Sequence, residues 1–241
     1  MRLTVISLVV TVLLVVGCSR KTSGQTSAPV ETEKPAVTEE VVPSLSPAEA
    51  AKQKLLNPAQ LNEKAPETFR AKFTTSKGDF VLEVTRAWSP NGADRFYNLV
   101  KNGYYNDCRF FRVIDNFMVQ FGINGDPALN KVLSQARIAD DPVKAPVKQS
   151  NQRGYVSFAM TGQPNSRTTQ IFINYKDNSF LDAQNFTPFG KVIEGMDIVD
   201  SFFKEYQGVP SDNQQQIQTQ GNAYLNKQFP KLDYVKNASI I

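Results

Sequence analysis

Two short runs of strict alternation, joined by one turn, constrain this chain most. Phe69, Ala71 and Phe73 alternate with Arg70 and Lys72, and after Ser76-Lys77-Gly78-Asp79 the pattern resumes in Phe80, Leu82 and Val84. Alternation at period two marks strands buried on one face, and a Gly-containing turn cluster between two such runs predicts an antiparallel hairpin. The folded domain is expected to begin here, near Thr68. Further strand character follows at Arg109–Phe121 (interrupted at Asp115-Asn116), Tyr155–Met160, Gln170–Asn174, near Val192, and at Tyr234–Ile241. Helical spacing is found in two places. After a break at Pro90-Asn91-Gly92, the residues Ala93, Phe96, Tyr97 and Val100 share one helix face, with Gly103 placed as a stop. Glu194–Phe203 is the second helix. From there to Pro230 the chain is polar and Gln-rich and reads as loop, with one helical turn near Ala223–Leu225. Many short strands with two isolated helices predict a mainly β, closed or nearly closed antiparallel barrel with helices at its ends.

The residues before the hairpin differ in kind. Met1–Gly17 has a basic start at Arg2 and an apolar run from Leu3 to Val16, the length of a signal-peptide core and short of the ~20 residues of a membrane span. It ends in Val15-Val16-Gly17-Cys18, similar to a bacterial lipobox, in which cleavage precedes a cysteine that is then lipidated. An ordinary signal peptide with an incidental cysteine is the alternative. Ser19 to about Pro47 is rich in Ser, Thr, Pro, Glu and Lys and has too little apolar surface to order itself. A short helix from Pro47 to Leu56 fits within the tether, with Ser46 as cap and Pro58 beyond its end. The expected organisation is a signal peptide over 1–17, a lipidated Cys18 with flexible tether over 18–66, and the domain over 67–241.

Composition excludes several chemistries. The chain of 241 residues contains no histidine, which rules out Ser-His and Cys-His mechanisms and His-ligated metal sites. Two cysteines make no disulfide framework, and Cys108 without a His partner reads as a buried structural thiol. The net charge of +4 is spread among acidic neighbours, so no nucleic-acid partner is expected. Asp140-Asp141-Pro142 and Asp177-Asn178 read as turns, since their carboxylates lack calcium-loop spacing.

One stretch breaks the alternation. Phe110–Gly122, FFRVIDNFMVQFG, sets an amide, Gln120, on the strand face of the apolar Met118, with Arg112 nearby. Gln170-Ile171-Phe172 repeats the oddity, and Phe180-Leu181-Asp182 with Phe186 adds apolar groups among polar loop residues. From the residues alone, Arg112 can be an outward strand residue with Phe117 and Met118 in the core. Equally, these groups can line a pocket that grips a small apolar ring and touches its polar edge.

Taken together, these segments resemble the cyclophilin family of peptidyl-prolyl isomerases. FFRVIDNFMVQFG is similar to the family's F-x-R-x-x-x-x-F-M-x-Q-x-G, TTQIFIN to its S-Q-F-F-I, and FLDAQNFTPFGKVIEGMDIVD to its W-L-D-G…F-G-x-V-x-x-G-M-x-V-V. The resemblance spans Thr68 to Ile241 and is strongest for envelope-located bacterial members, which carry a run similar to GNAYL…FPKLDY. It implies a closed eight-stranded antiparallel barrel capped by two helices. It implies Arg112 as the catalytic arginine, assisted by Gln120. Phe117, Met118, Phe172 and Leu181 would hold the proline ring, with Phe180 and Phe186 at its margin. Gln120 and Gln170 would position the substrate backbone, with which Ala159 and Met160 would pair. Phe180 stands where members often have Trp, so weak cyclosporin binding is expected, and Asp115-Asn116 replaces a common Pro-Gly. The implied reaction moves no proton, so no cofactor and no metal is expected. The expected partners are proline-containing polypeptides and, through Cys18, a membrane of the bacterial envelope. Ser19 in place of Asp points to the outer one in a two-membrane cell. A monomer is expected. The runner-up reading is a proline-peptide binding module with little turnover.

Overall fold

The computed structural model describes residues 45–141 and 148–241. The expected signal peptide, Cys18 and the tether as far as residue 44 lie outside the described residues. In chain order the elements are α1 (Pro47–Leu56), β1 (Thr68–Thr75), β2 (Asp79–Thr85), α2 (Pro90–Lys101), β3 (Arg112–Ile114), β4 (Met118–Phe121) and α3 (Pro127–Leu133). They continue with β5 (Tyr155–Phe158), β6 (Ile171–Asn174), β7 (Pro188–Glu194), α4 (Met196–Asp200), α5 (Gln214–Gln220), α6 (Asn222–Gln228) and β8 (Val235–Ile240).

The eight strands form one sheet in the order β3-β4-β6-β5-β7-β2-β1-β8, every neighbour antiparallel. The opening hairpin pairs as its alternation requires, Phe69 opposite Val84, Ala71 opposite Leu82 and Phe73 opposite Phe80. The apolar face is thus continuous across β1 and β2, and Phe73 and Phe80 stack at 4.9 Å between ring centres. The two end strands approach one another just before they begin. Arg109 and Tyr234 form an antiparallel bridge, Phe110 N–H donates to the Asp233 carbonyl at 2.9 Å, and Val235 N–H donates to the Cys108 carbonyl at 3.0 Å. That short bridge closes the curl of the sheet around a core of Phe73, Leu82, Phe96, Phe121, Phe158 and Phe189, all buried.

The structure differs from expectation at three places. First, residues 45–66 belong to the folded unit and are not tether. Ser46 and Glu49 form a reciprocal capping box for α1, as the sequence suggested, but Leu55, Leu61 and Ala65 are buried in the main core. Ala65 N–H donates to Asp94 Oδ1 at 2.8 Å, and Asn98 bonds the backbone of Glu63 in both directions. The buried residues fall outside any single periodicity, so only the surface they meet reveals them. Second, the described residues hold six α-helices, where three and a single helical turn near Ala223–Leu225 were expected. Third, α2 begins at Pro90, without a break at Gly92. Its first N–H groups are satisfied by Asp141, whose carboxylate accepts from Asn91 N–H at 2.7 Å, Gly92 N–H at 2.9 Å and the Ser89 hydroxyl. A cap from fifty residues away is invisible to local sequence rules.

The Gln-rich segment is the largest correction. It is helical, as α5 and α6, with a small core of its own in which Ile217 and Leu225 meet Phe111, Ile123 and Leu232. Gly221 links the two helices at φ +59°, and a Cβ there would collide with the Gly125 carbonyl. Close backbone approach at this glycine fixes α5 against the segment that follows β4.

Candidate active site

The alternation of β3, β4 and β6 divides their side chains between two faces. Val113, Val119, Phe121, Ile171 and Ile173 point into the barrel core. On the other face Arg112 pairs with Gln120, and Gln120 with Phe172, in adjacent strands. Side chains directly opposite in neighbouring strands share a face. So Arg112, Gln120 and Phe172 stand side by side on the outside of the barrel, two strand positions from Ile114, Met118 and Gln170. The amides that broke the alternation are therefore on the face away from the core.

This outer face carries a cavity of about 200 Å³. Met118, Phe172 and Leu181, all buried, form its apolar base, and Phe117, Ala159 and Phe186 pack around them. Arg112, Gln120, Met160 and Gln214 complete the lining. Phe172 and Phe186 meet edge to face at 5.5 Å. Two predicted residues lie outside this lining. Phe180 is 56% exposed and stacks on Phe117 with ring centres 6.1 Å apart, at the rim. Gln170 lines an adjoining depression of about 250 Å³, which shares Gln120, Ala159, Met160 and Gln214 with the first.

Arg112 Nη1 donates to Gln120 Oε1 at 3.1 Å, and its guanidinium lies 5.9 Å from the Phe117 ring centre. Most of its donors meet no partner among the described residues. Burial lowers its pKa and the charge of Asp212 opposes that shift, so the guanidinium stays protonated at neutral pH. No ion pair engages it among the described residues. Beside this cation the cavity has an apolar base and is of a size to favour a single ring.

Several supporting residues escaped the sequence reading. Asn178 is fully buried and donates from Nδ2 to the Phe117 carbonyl at 2.8 Å, while Ser179 N–H donates to Asp177 Oδ1 as the expected turn requires. Asp182 accepts from Asn151 N–H at 3.0 Å and Nδ2 at 2.7 Å, and Asn151 Nδ2 also reaches the Phe186 carbonyl at 2.7 Å. This buried polar network fixes the loop that presents Leu181 and Phe186. Arg167, 3% exposed, pairs with Asp140 and donates to the Asn185 carbonyl, tying the 161–169 loop to the same rim. Gln214 comes from α5, which the sequence reading left as loop.

Cyclophilin type peptidyl-prolyl cis-trans isomerase is the family whose model matches, over residues 70–222. A peptidyl-prolyl cis-trans isomerase of Acinetobacter baylyi is 37% identical over 136 residues, covering 52% of this chain and 67% of that protein. Peptidyl-prolyl cis-trans isomerase B of Escherichia coli is 32% identical over 137 residues, covering 53% of this chain and 80% of its own. Among solved structures, the cyclophilin-type isomerase of Cryptosporidium parvum superposes with a TM-score of 0.52 at 21% identity, over 72% of this chain and 98% of that one. The same protein has been crystallised in the presence of the dipeptide Ala-Pro. By the extent of the family match and the identity of these relatives, the chain belongs to the cyclophilin-type peptidyl-prolyl cis-trans isomerases, enzymes that rotate X-Pro peptide bonds.

Proposed function

We propose that Arg112 drives this isomerisation on proline-containing polypeptides of a bacterial envelope, with the proline ring seated in the cavity of Phe117, Met118, Phe172 and Leu181. The barrier to be lowered is about 18–20 kcal/mol, set by amide resonance. In the twisted transition state the prolyl nitrogen becomes pyramidal and regains a lone pair. A donor aimed at that nitrogen stabilises the twisted form more than either planar form, and only such a difference speeds the reaction. Arginine suits the task because it stays charged and presents a rigid fork of donors. The apolar walls keep water from competing for that bond. Gln120 holds the fork from behind, and the half-buried Ala159 and Gln170 stand beside the cavity to meet the peptide.

The observation that carries this reading is a half-buried guanidinium, free of any described ion pair, at the mouth of a ring-sized apolar cavity. It also favours turnover over simple binding, since a binder needs only the cavity. In a protease-coupled assay on a proline test peptide, Arg112→Ala is expected to lose at least about tenfold in kcat/KM, about 1.4 kcal/mol of transition-state stabilisation. A folded Arg112→Ala protein with full activity would contradict the assignment.

The setting rests on the sequence before the domain. The run Leu3–Val16 followed by Gly17-Cys18-Ser19 supports a lipid anchor at Cys18. Each buried acyl CH₂ adds about 0.8 kcal/mol of membrane affinity, and more than one chain is needed for stable attachment. Cys18→Ser is expected to move the protein from the membrane to the soluble fraction. Unchanged fractionation would sink the anchor.

A further inference from the structure

The side chains at the polar edge of the cavity form a chain of hydrogen bonds that continues beyond the residues assigned so far. Arg112 Nη1 donates to Gln120 Oε1 at 3.1 Å, Gln120 Nε2 donates to Gln170 Oε1 at 2.8 Å, and Gln170 Nε2 donates to Gln214 Oε1 at 3.0 Å. Its direction is dictated from one end. A guanidinium only donates, so Gln120 must turn its oxygen toward Arg112 and its NH₂ away. Gln170 must then present its oxygen to Gln120 and its own NH₂ to the next residue. That residue has to be an acceptor. A donor or nothing at position 214 removes the bond that reinforces this orientation from the far end, and a turned Gln170 amide would set NH₂ against NH₂ at Gln120.

We propose that Gln214 is a positioning residue of the isomerase, the terminal acceptor that sets the orientation of the Gln170 and Gln120 amides and, through them, the aim of Arg112. The role deepens the reading of Arg112 given above and rests on it. Gln214 is held for this task. Ile217, three residues on and fully buried, anchors α5 in its own small core, and the Gln218 carbonyl accepts from Asn130 Nδ2 at 3.4 Å. Val113 N–H donates to the Gln207 carbonyl at 3.1 Å, so the segment leading into α5 is tied to the strand that carries Arg112. The Gln-rich stretch thereby gains a specific part in the chemistry.

The effect belongs in turnover more than in binding, because the apolar seat of the ring is untouched. In the full-length protein, Gln214→Met, which keeps the length and removes the acceptor, is expected to lower kcat about three- to tenfold, the worth of one hydrogen bond. KM should stay within about twofold. It should also shift the side-chain amide resonance of Gln120, two links away, in ¹⁵N-edited NMR spectra. Gln214→Glu keeps an acceptor and should recover most of the lost kcat, whereas Gln214→Lys, a donor only, should lose at least as much as Met. The Glu and Lys pair decides the matter if the Met variant folds poorly. Wild-type kcat in the Met and Lys variants, or equal losses in Glu, Met and Lys, would overturn the role. Arg112→Ala measured alongside separates two failures. Full activity there sinks both readings, while an inactive Arg112→Ala beside a fully active Gln214→Met sinks only that of Gln214.

Discussion

Arg112 was legible as an oddity before it was legible as a site. In the sequence it was one cation in an apolar run, and Gln120 and Gln170 were amides on the wrong face of their strands. What the sequence could not supply was the register that sets Arg112 opposite Gln120 and Gln120 opposite Phe172. Phe180, which the resemblance set at the edge of the pocket, lies at the rim and is more than half exposed. Among the described residues Arg112 is also the sole titratable side chain lining the cavity. Burial lowers its pKa and Asp212 resists, so its charge is lost only on the alkaline side and far from neutrality. The expected profile of kcat/KM is flat between about pH 6 and 9, since arginine ordinarily titrates above 12. An acidic limb in that window, measured with a substrate that does not itself titrate, would show that another group takes part.

At the level of elements, strands were easier to foresee than helices. Alternation is local, and β1 and β2 paired as it required. QQQIQTQ carries a single apolar residue, Ile217, so α5 has almost no helical signal of its own and depends on Phe111 and Leu232 for its place. The segment around α1 was misjudged for a similar reason, because Leu55, Leu61 and Ala65 look like scattered apolar residues until the surface of α2 is beside them. Their burial makes a prediction. A chain starting at residue 67 should unfold at lower urea than one starting at residue 45, by at least about 3 kcal/mol, given the usual cost of removing two buried leucines. Equal midpoints would mean that this segment is an ornament on the domain.

Across the whole molecule, the barrel class was readable and its manner of closure was not. Many short strands were readable from the residues and their number, eight, was implied by the resemblance, but the bridge between Arg109 and Tyr234 joins residues that no local rule relates. The same holds for Asp141 at the start of α2 and for Arg167 between Asp140 and Asn185. Such long-range polar contacts decide how loops are presented, and they leave no periodic trace. The sequence was most informative where one residue type recurs at a fixed step, and least where a single polar side chain reaches across the fold.

The two faces of β3, β4 and β6 have a consequence for how such a chain can change. Residues that hold the barrel together and residues that line the outer cavity are interleaved, one step apart, along the same strands. Exchanges confined to the outer set can therefore retune substrate preference while leaving thermal tolerance almost untouched, and the inner set can drift for durability without altering the chemistry. The two inheritances stay separate only while the register holds. A slip of one residue in β4 would turn Val119 outward and Gln120 inward, and would cost the lineage both at once.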